Sequence, residues 1–143
     1  MKVIYDALLK RLQTIKPLRY IDMDTGQLEI PFTDTKRPPV AYPAALISIA
    51  VSRHKEITEQ KQLCNARVTI RIADDTYRRT AAHQSERSRS LQIYDLVEDV
   101  RESLQGFTGE EAFSPLSRQS QDREHTSSGL FIYRLDFETS FIQ

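Results

Sequence analysis

Three groups of residues in this sequence could carry chemistry: a carboxylate cluster at Asp22-Met23-Asp24-Thr25-Gly26, three histidines with a single cysteine, and arginines spread from Arg67 to Arg123. The carboxylate cluster begins as a calcium loop begins. An EF-hand loop needs Gly at its sixth position and Glu at its twelfth, and counting from Asp22 those positions hold Gln27 and Thr33. The match fails, and carboxylates around a tight turn are expected to accept from nearby backbone N–H groups instead. His54, His83 and His125 share no HxH, HxxxH or Cys–His spacing that would hold a metal. Cys64 alternates with Ala66, Val68 and Ile70, so it reads as a small apolar side chain of a strand face, not as a thiolate. There is no GxSxG elbow and no Gly-rich loop following a strand. The sequence therefore predicts no catalytic residues, no metal and no cofactor.

The arginines suggest binding. Arg78-Arg79 and Arg87-Ser88-Arg89 form the densest basic patch. Nucleic-acid recognition would ask for aromatic stacking partners or a recognition helix, and only Tyr77 lies near in sequence, so a solvated or protein-facing patch is the better reading. The chain of 143 residues carries 20 Lys and Arg against 20 Asp and Glu. A net charge of zero supplies no field to gather nucleic acid or anionic lipid, which argues against sequence-specific nucleic-acid binding and membrane association. No apolar run reaches the roughly 18 residues of a membrane span. Asp6 and Lys10 would interrupt the apolar core of a signal peptide, so secretion by that route is not expected.

The elements that must position these groups follow from hydrophobic period and turn chemistry. Ile4, Leu8, Leu12 and Ile15 fall on one face of a helix that Pro17 ends. Leu18 to Met23 and Gln27 to Ile30 read as a short extended pair around a Gly26 turn, and the four prolines between Pro31 and Pro43 imply an ordered loop. Ala44 to Val51 reads as a strand buried on both sides, followed by a polar loop from Arg53 to Gln62. Cys64 to Ile72 alternates as a half-buried strand whose second face carries Arg67 and Arg71. A second helix occupies Thr80 to Gly106, beginning as early as Thr80 or at a Ser90 cap, with Ile93, Leu96, Val97, Val100 and Leu104 inward and Gly106 as a left-handed C-terminal cap. Phe131 to Phe141 alternates strongly, its aromatic stripe being core, and the polar run Leu116 to Glu124 is its antiparallel partner across a Thr126 to Gly129 turn, at a sheet edge and projecting. The sum is one α+β domain over residues 1–143, with a mainly antiparallel sheet, two main helices packed on one face and a projecting β-hairpin.

Charge is distributed unevenly along this order. Residues 53–89 carry nine basic and five acidic residues, and residues 90–143 carry four basic and ten acidic ones. Such a split is what a head-to-tail contact between copies would use, or chance variation along a surface.

The helix IYDALLKRLQTI, the proline-led strand RPPVAYPAALISIAV, the strand CNARVTIRIA, the helix LQIYDLVEDVRESLQGF and the closing LFIYRLDFETSFI come in an order that resembles the tail terminator and tail completion proteins of long-tailed bacteriophages and prophages. The resemblance spans nearly the whole chain; the Asp22 to Pro39 stretch and the polar hairpin depart from the family pattern. It implies a non-enzymatic virion protein, a homo-oligomer forming a hexameric ring at the tail-tube end. Its implied partners are tail-tube and head-connector proteins, and its location is the virion tail, with the host cytoplasm during assembly. It also implies contact positions: the Arg67 and Arg71 strand face, the stretch with Arg78, Arg79, Arg87 and Arg89, and the hairpin with Arg118, Asp122, Arg123 and Glu124. Two other readings stand beside it, a small adaptor binding one protein partner through the basic 53–89 segment and an enzyme using His83 or His125 with a carboxylate.

Overall fold

The first helix, α1 (Lys2–Gln13), buries Ile4, Leu8 and Leu12. Lys10 and Arg11 in its last turn suit the negative end of the helix dipole. Arg11 also donates from Nε to the Ser103 carbonyl at 2.9 Å and lays its guanidinium 5.1 Å from the centre of the Phe107 ring. The computed structural model describes residues 1–29, 40–75, 86–125 and 130–143. Within them the chain continues as β1 (Tyr20–Met23), β2 (Ala44–Thr58), β3 (Lys61–Asp75), α2 (Glu86–Leu104), β4 (Ser117–Glu124) and β5 (Leu130–Ile142). The strands form one sheet in the order β1-β2-β3-β5-β4, antiparallel throughout except that β1 runs parallel to β2.

Alternation along the strands separates the residues into two sets. Cys64, Ala66, Val68, Ile70 and Ile72 of β3, with Phe131, Leu135, Phe137 and Phe141 of β5, meet the apolar stripes of both helices in the main core. The other face carries a smaller core of Leu28, Leu46, Ala73, Leu130 and Ile132, flanked by Tyr20 and Tyr42. Two helices over one face of a mainly antiparallel sheet is the α+β architecture expected from the sequence. The second helix is already formed at Glu86, which rules out the anticipated start at Ser90, while the anticipated start at Thr80 lies outside the described residues; Gly106 takes the left-handed conformation at φ +78°.

Three elements differ from the expectation. Gln27–Glu29 is a 3-10 turn and not a strand. Its Gln27 side chain accepts from the Thr25 N–H at 2.8 Å and donates to the Met23 carbonyl at 2.9 Å, which closes the backbone on itself, while β1 pairs with Ala44–Ile47 instead. The anticipated loop from Arg53 to Gln62 is a hairpin. β2 runs on to Thr58 and β3 begins at Lys61, joined by a turn in which Thr58 Oγ1 accepts from the Lys61 N–H at 3.1 Å. Apart from the exposed Ile57 its residues are polar on both faces, so the ladder holds them extended and no apolar alternation announces them. Finally, β2 is buried on both faces only from Ala44 to Ile47; Val51 is 39% exposed, because β1 ends beside Ile47 and no strand among the described residues continues along that side. The anticipated 31–43 loop and 126–129 turn lie largely or wholly outside the described residues.

The return from α2 to the sheet is tight. Gly106 N–H donates to the Leu116 carbonyl at 2.8 Å and Leu116 N–H donates to the Phe107 carbonyl at 3.0 Å. Gly109 has φ +56°, and a Cβ there would sit 2.5 Å from the Phe113 ring and 3.1 Å from the Ala7 Cβ. A Cβ at Gly106 would meet nothing within 4 Å. Gly106→Ala is therefore expected to cost about 1–2 kcal/mol, the left-handed penalty alone. Gly109→Ala adds the crowding of a packed core, for about 2–4 kcal/mol in total. Urea unfolding of the two variants checks this order, and equal midpoints would contradict it.

Candidate functional site

The face of the sheet away from the helices carries the charged groups. Arg71, in the middle of β3, stands directly opposite Arg134 of β5, an arrangement of like charges that destabilises a sheet unless acids intervene. They do so from three elements. Arg71 Nη1 lies 3.1 Å from Asp24 Oδ2 and 2.8 Å from Glu29 Oε1, and Nη2 donates to Glu124 Oε2 at 2.8 Å with Nε at 3.1 Å. The planar fork lets one side chain answer three carboxylates. Burial works against the Arg71 charge, but its hydrogen bonds to Glu124, Asp24 and Glu29 outweigh that and hold its pKa above the usual arginine value. Asp24 serves two purposes, since its Oδ1 accepts from the Gly26 N–H at 3.1 Å and fixes the turn that presents Oδ2 to Arg71.

Arg134 is neutralised on its own strand. Its Nε and Nη2 donate to Asp136 at 3.0 and 3.2 Å, and Asp136 also accepts from Thr69 Oγ1 at 2.6 Å and Ser120 Oγ at 3.1 Å. Hydrogen bonding to Asp136 raises the Arg134 pKa. Burial pushes the Asp136 carboxyl up, and the bonds from Arg134, Thr69 and Ser120 overcome it, leaving the group below its ordinary value. The network thus ties β3, β4, β5 and the segment 24–29 together across one face.

The positions singled out from sequence fall in different places. Arg71 and Glu124 meet each other, so both are engaged within the chain. Arg67 is exposed, in register between Ala50 and Glu138, on the wall of an open hollow shared with Asn65, Ser114, Ser117 and Ser140. Asp122 is exposed opposite Arg134. Arg118 and Arg123 occupy the helix-side register of β4, where Arg118 Nη1 donates to Gln121 Oε1 at 2.6 Å and Arg123 lies 4.5 Å from the centre of the Phe131 ring. Arg87 and Arg89 lie on α2. Arg78 and Arg79 lie outside the described residues. Sequence reasoning singled out Asp24 as a turn carboxylate, and it does accept from Gly26 N–H, but it missed the pairing of Asp24 with Arg71 and missed Glu29, Thr69, Ser120, Arg134 and Asp136. The spacing of Arg134 and Asp136, two apart on a strand and so on one face, was the available signal.

The charge split along the sequence is partly met inside the fold. β3 belongs to the basic segment and β5 and β4, which follow it in the sheet, to the acidic one; Thr69 bonds Asp136 across the β3–β5 ladder and Arg71 reaches past β5 to Glu124. The sheet's two edges remain. β1 covers only Ala44–Ile47 of β2, leaving Ser48–Thr58 without a strand on that side among the described residues. At the other end of the strand order, β4 pairs only with β5 among the described residues, and every residue of it except Glu124 is exposed.

Among the described residues there is no cluster of His, Cys, Asp or Glu that could hold a metal ion, and no helix long and apolar enough to cross a membrane. Cys64 is buried in the main core. Among the described residues the sheet is sheltered by helices on one face, locked by ion pairs on the other and unpaired along much of its two edges. Residues 11–143 match the family model described as phage tail terminator protein, and the chain belongs to that family. It is a structural protein of the phage tail, located in the virion tail. Among solved structures, a chain from the virion of a native gene transfer agent (GTA) particle is similar in fold, with a TM-score of 0.52 at 10% identity, over 97% of this chain and 94% of that one. Comparison with the curated proteins finds no match.

Replacing Arg71 by Met leaves Asp24, Glu29 and Glu124 converging on no cation, and the expected loss is about 2–4 kcal/mol. Arg71→Lys recovers only part of it, since one ammonium cannot reproduce the fork. Chemical denaturation reads both, and an unchanged midpoint for Arg71→Met would refute the network's role. The depressed Asp136 carboxyl gives a pH signature. Its stabilisation is complete above the ordinary aspartate value of about 3.9 and is lost as pH falls through its lower folded value. Asp136→Asn should flatten that part of the acid limb of a stability–pH profile; a limb unchanged from the parent protein's would contradict the assignment.

Proposed function

We infer that the protein is non-enzymatic and acts as a ring of identical copies that closes the end of the tail tube and offers a surface to the head connector. Residues 1–143 serve as one unit in this reading. The observation that carries it is the pair of unpaired sheet edges at opposite ends of one sheet, the free part of β2 and the outer side of β4. Two different surfaces on one chain make a heterologous contact, and a heterologous contact with the right rotation closes into a ring. Membership of the tail terminator family supports the tube-end position, and the family resemblance supplies six as the copy number. Exposed Arg67, Arg118, Asp122 and Arg123 remain available for contacts with neighbouring copies or with the tube, whereas Arg71 and Glu124 act by holding the face rigid.

Light scattering across a concentration series, at low and at high salt, tests the reading. The expected result is growth from the single-chain mass of 16.6 kDa to a closed species of about 100 kDa, six copies of that chain. Added salt should weaken it, since exposed charges are screened over about 8 Å at physiological ionic strength. A single-chain mass at every concentration and salt would contradict it.

A further inference from the structure

We propose that the seam between copies is a β-sheet addition in which β4 of one copy pairs antiparallel with the free part of β2 of the next, Asp122 facing Lys55. This rests on the ring reading and assigns its interface.

Strand direction permits it. β2, β3, β5 and β4 lie side by side and alternate in direction, so β4 runs opposite to β2. A second copy whose β2 meets the first copy's β4 therefore continues the antiparallel pattern without reversal, and each copy adds the same four strands. Length permits the setting below, in which residues 119–124 of β4 lie against residues 53–58 of the free stretch of β2, where β1 no longer intrudes.

Side-chain chemistry selects the register. Asp122 and Glu124, opposite Arg134 and Ile132, occupy the register positions of β4 on the face away from the helices. Arg53 and Lys55, opposite Asn65 and Leu63, occupy the same face of β2. Setting Lys55 against Asp122 makes a cross-strand pair of opposite charge on that face, and it brings residue 53 against Glu124, which Arg71 of its own chain already holds. On the other face the same setting pairs His54 with Arg123 and Glu56 with Gln121, leaving Glu56 diagonal to Arg123. Shifting by one residue would send each side chain to the wrong face, and shifting by two sets Lys55 against uncharged Ser120 or against Glu124, which Arg71 already holds. The setting also lies between irregularities, since β2 is regular from Arg53 to Glu56 and β4 from Ser120 to Glu124.

The composition of β4 fits an added strand. Ser117-Arg118-Gln119-Ser120-Gln121-Asp122-Arg123-Glu124 contains no apolar side chain, so burial within its own chain contributes little against the cost of ordering it. Backbone hydrogen bonds supply affinity in such additions, and side chains supply register.

Cysteine pairing tests this on the full chain, with the buried Cys64 left in place. Chains carrying Lys55→Cys are mixed with chains carrying Asp122→Cys under assembling conditions and oxidised. The expected product is a disulfide-linked pair from the mixture and from neither variant alone, while a Val51→Cys and Asp122→Cys mixture gives none. A chain carrying both Lys55→Cys and Asp122→Cys should yield a ladder reaching the mass of the closed species. In parallel, Lys55→Glu should raise the concentration for half-assembly about tenfold, and Asp122→Lys in the same chain should restore it. Parent protein that assembles, with no cross-link and no response to charge reversal, overturns the seam and leaves the ring reading intact. Parent protein that never assembles overturns both.

Discussion

β3 is paired along nearly its whole length on both sides, with β2 from Lys61 to Ala73 and with β5 from Leu63 to Asp75. That double pairing is the constraint from which the other features follow. It fixes which side chains of 61–75 face the helices, and it commits Arg67, Thr69 and Arg71 to the opposite side. By occupying the centre it also forces β2 and β4 outward, where each keeps a row of backbone donors and acceptors that no strand among the described residues pairs. A sheet in a monomer is usually blunted at such edges by short strands, prolines or a covering helix. Here β1 covers only four residues of one edge and the described residues place no strand on the other.

Placing Arg71 beside Arg134 would be a defect in isolation, and the molecule resolves it with groups from distant parts of the sequence. Asp24 and Glu29 arrive from the turn after β1, Glu124 from the edge strand, and Asp136 from β5. The edge strand is thereby anchored through Glu124 and through Ser120, even though its side chains bury almost nothing. In the proposed seam an edge held rigid in this way is already ordered before a neighbour arrives, which lowers the entropy cost of joining.

How far the sequence discloses all this depends on whether the determining force is burial. α1, the core half of β3, the inner stripe of α2 and β5 are legible because apolar residues repeat at the period of the element. The extension of β2 to Thr58 is not, because His54, Lys55, Glu56 and Thr58 are exposed and are held extended by the β3 ladder. The 3-10 turn at Gln27–Glu29 is hidden for a related reason, since a side-chain amide bonding to local backbone defines it. Arg67 and Arg71 look equivalent in sequence, two basic residues on one strand face. Three acids remote in sequence make Arg71 a structural group and leave Arg67 at the surface. The split between a basic and an acidic half likewise misleads, because antiparallel pairing lays one half against the other.

The account's central claim is that two edges left open by one chain are closed by its neighbours. Hydrogen exchange of backbone amides, compared between dilute single chains and the assembled form, addresses it residue by residue. Selective slowing of exchange in Ser48–Thr58 and in Ser117–Glu124 on assembly, with β3 equally protected in both states, is the predicted result. Exchange at these two edges that stays as fast in the assembled form as in the single chain would contradict it.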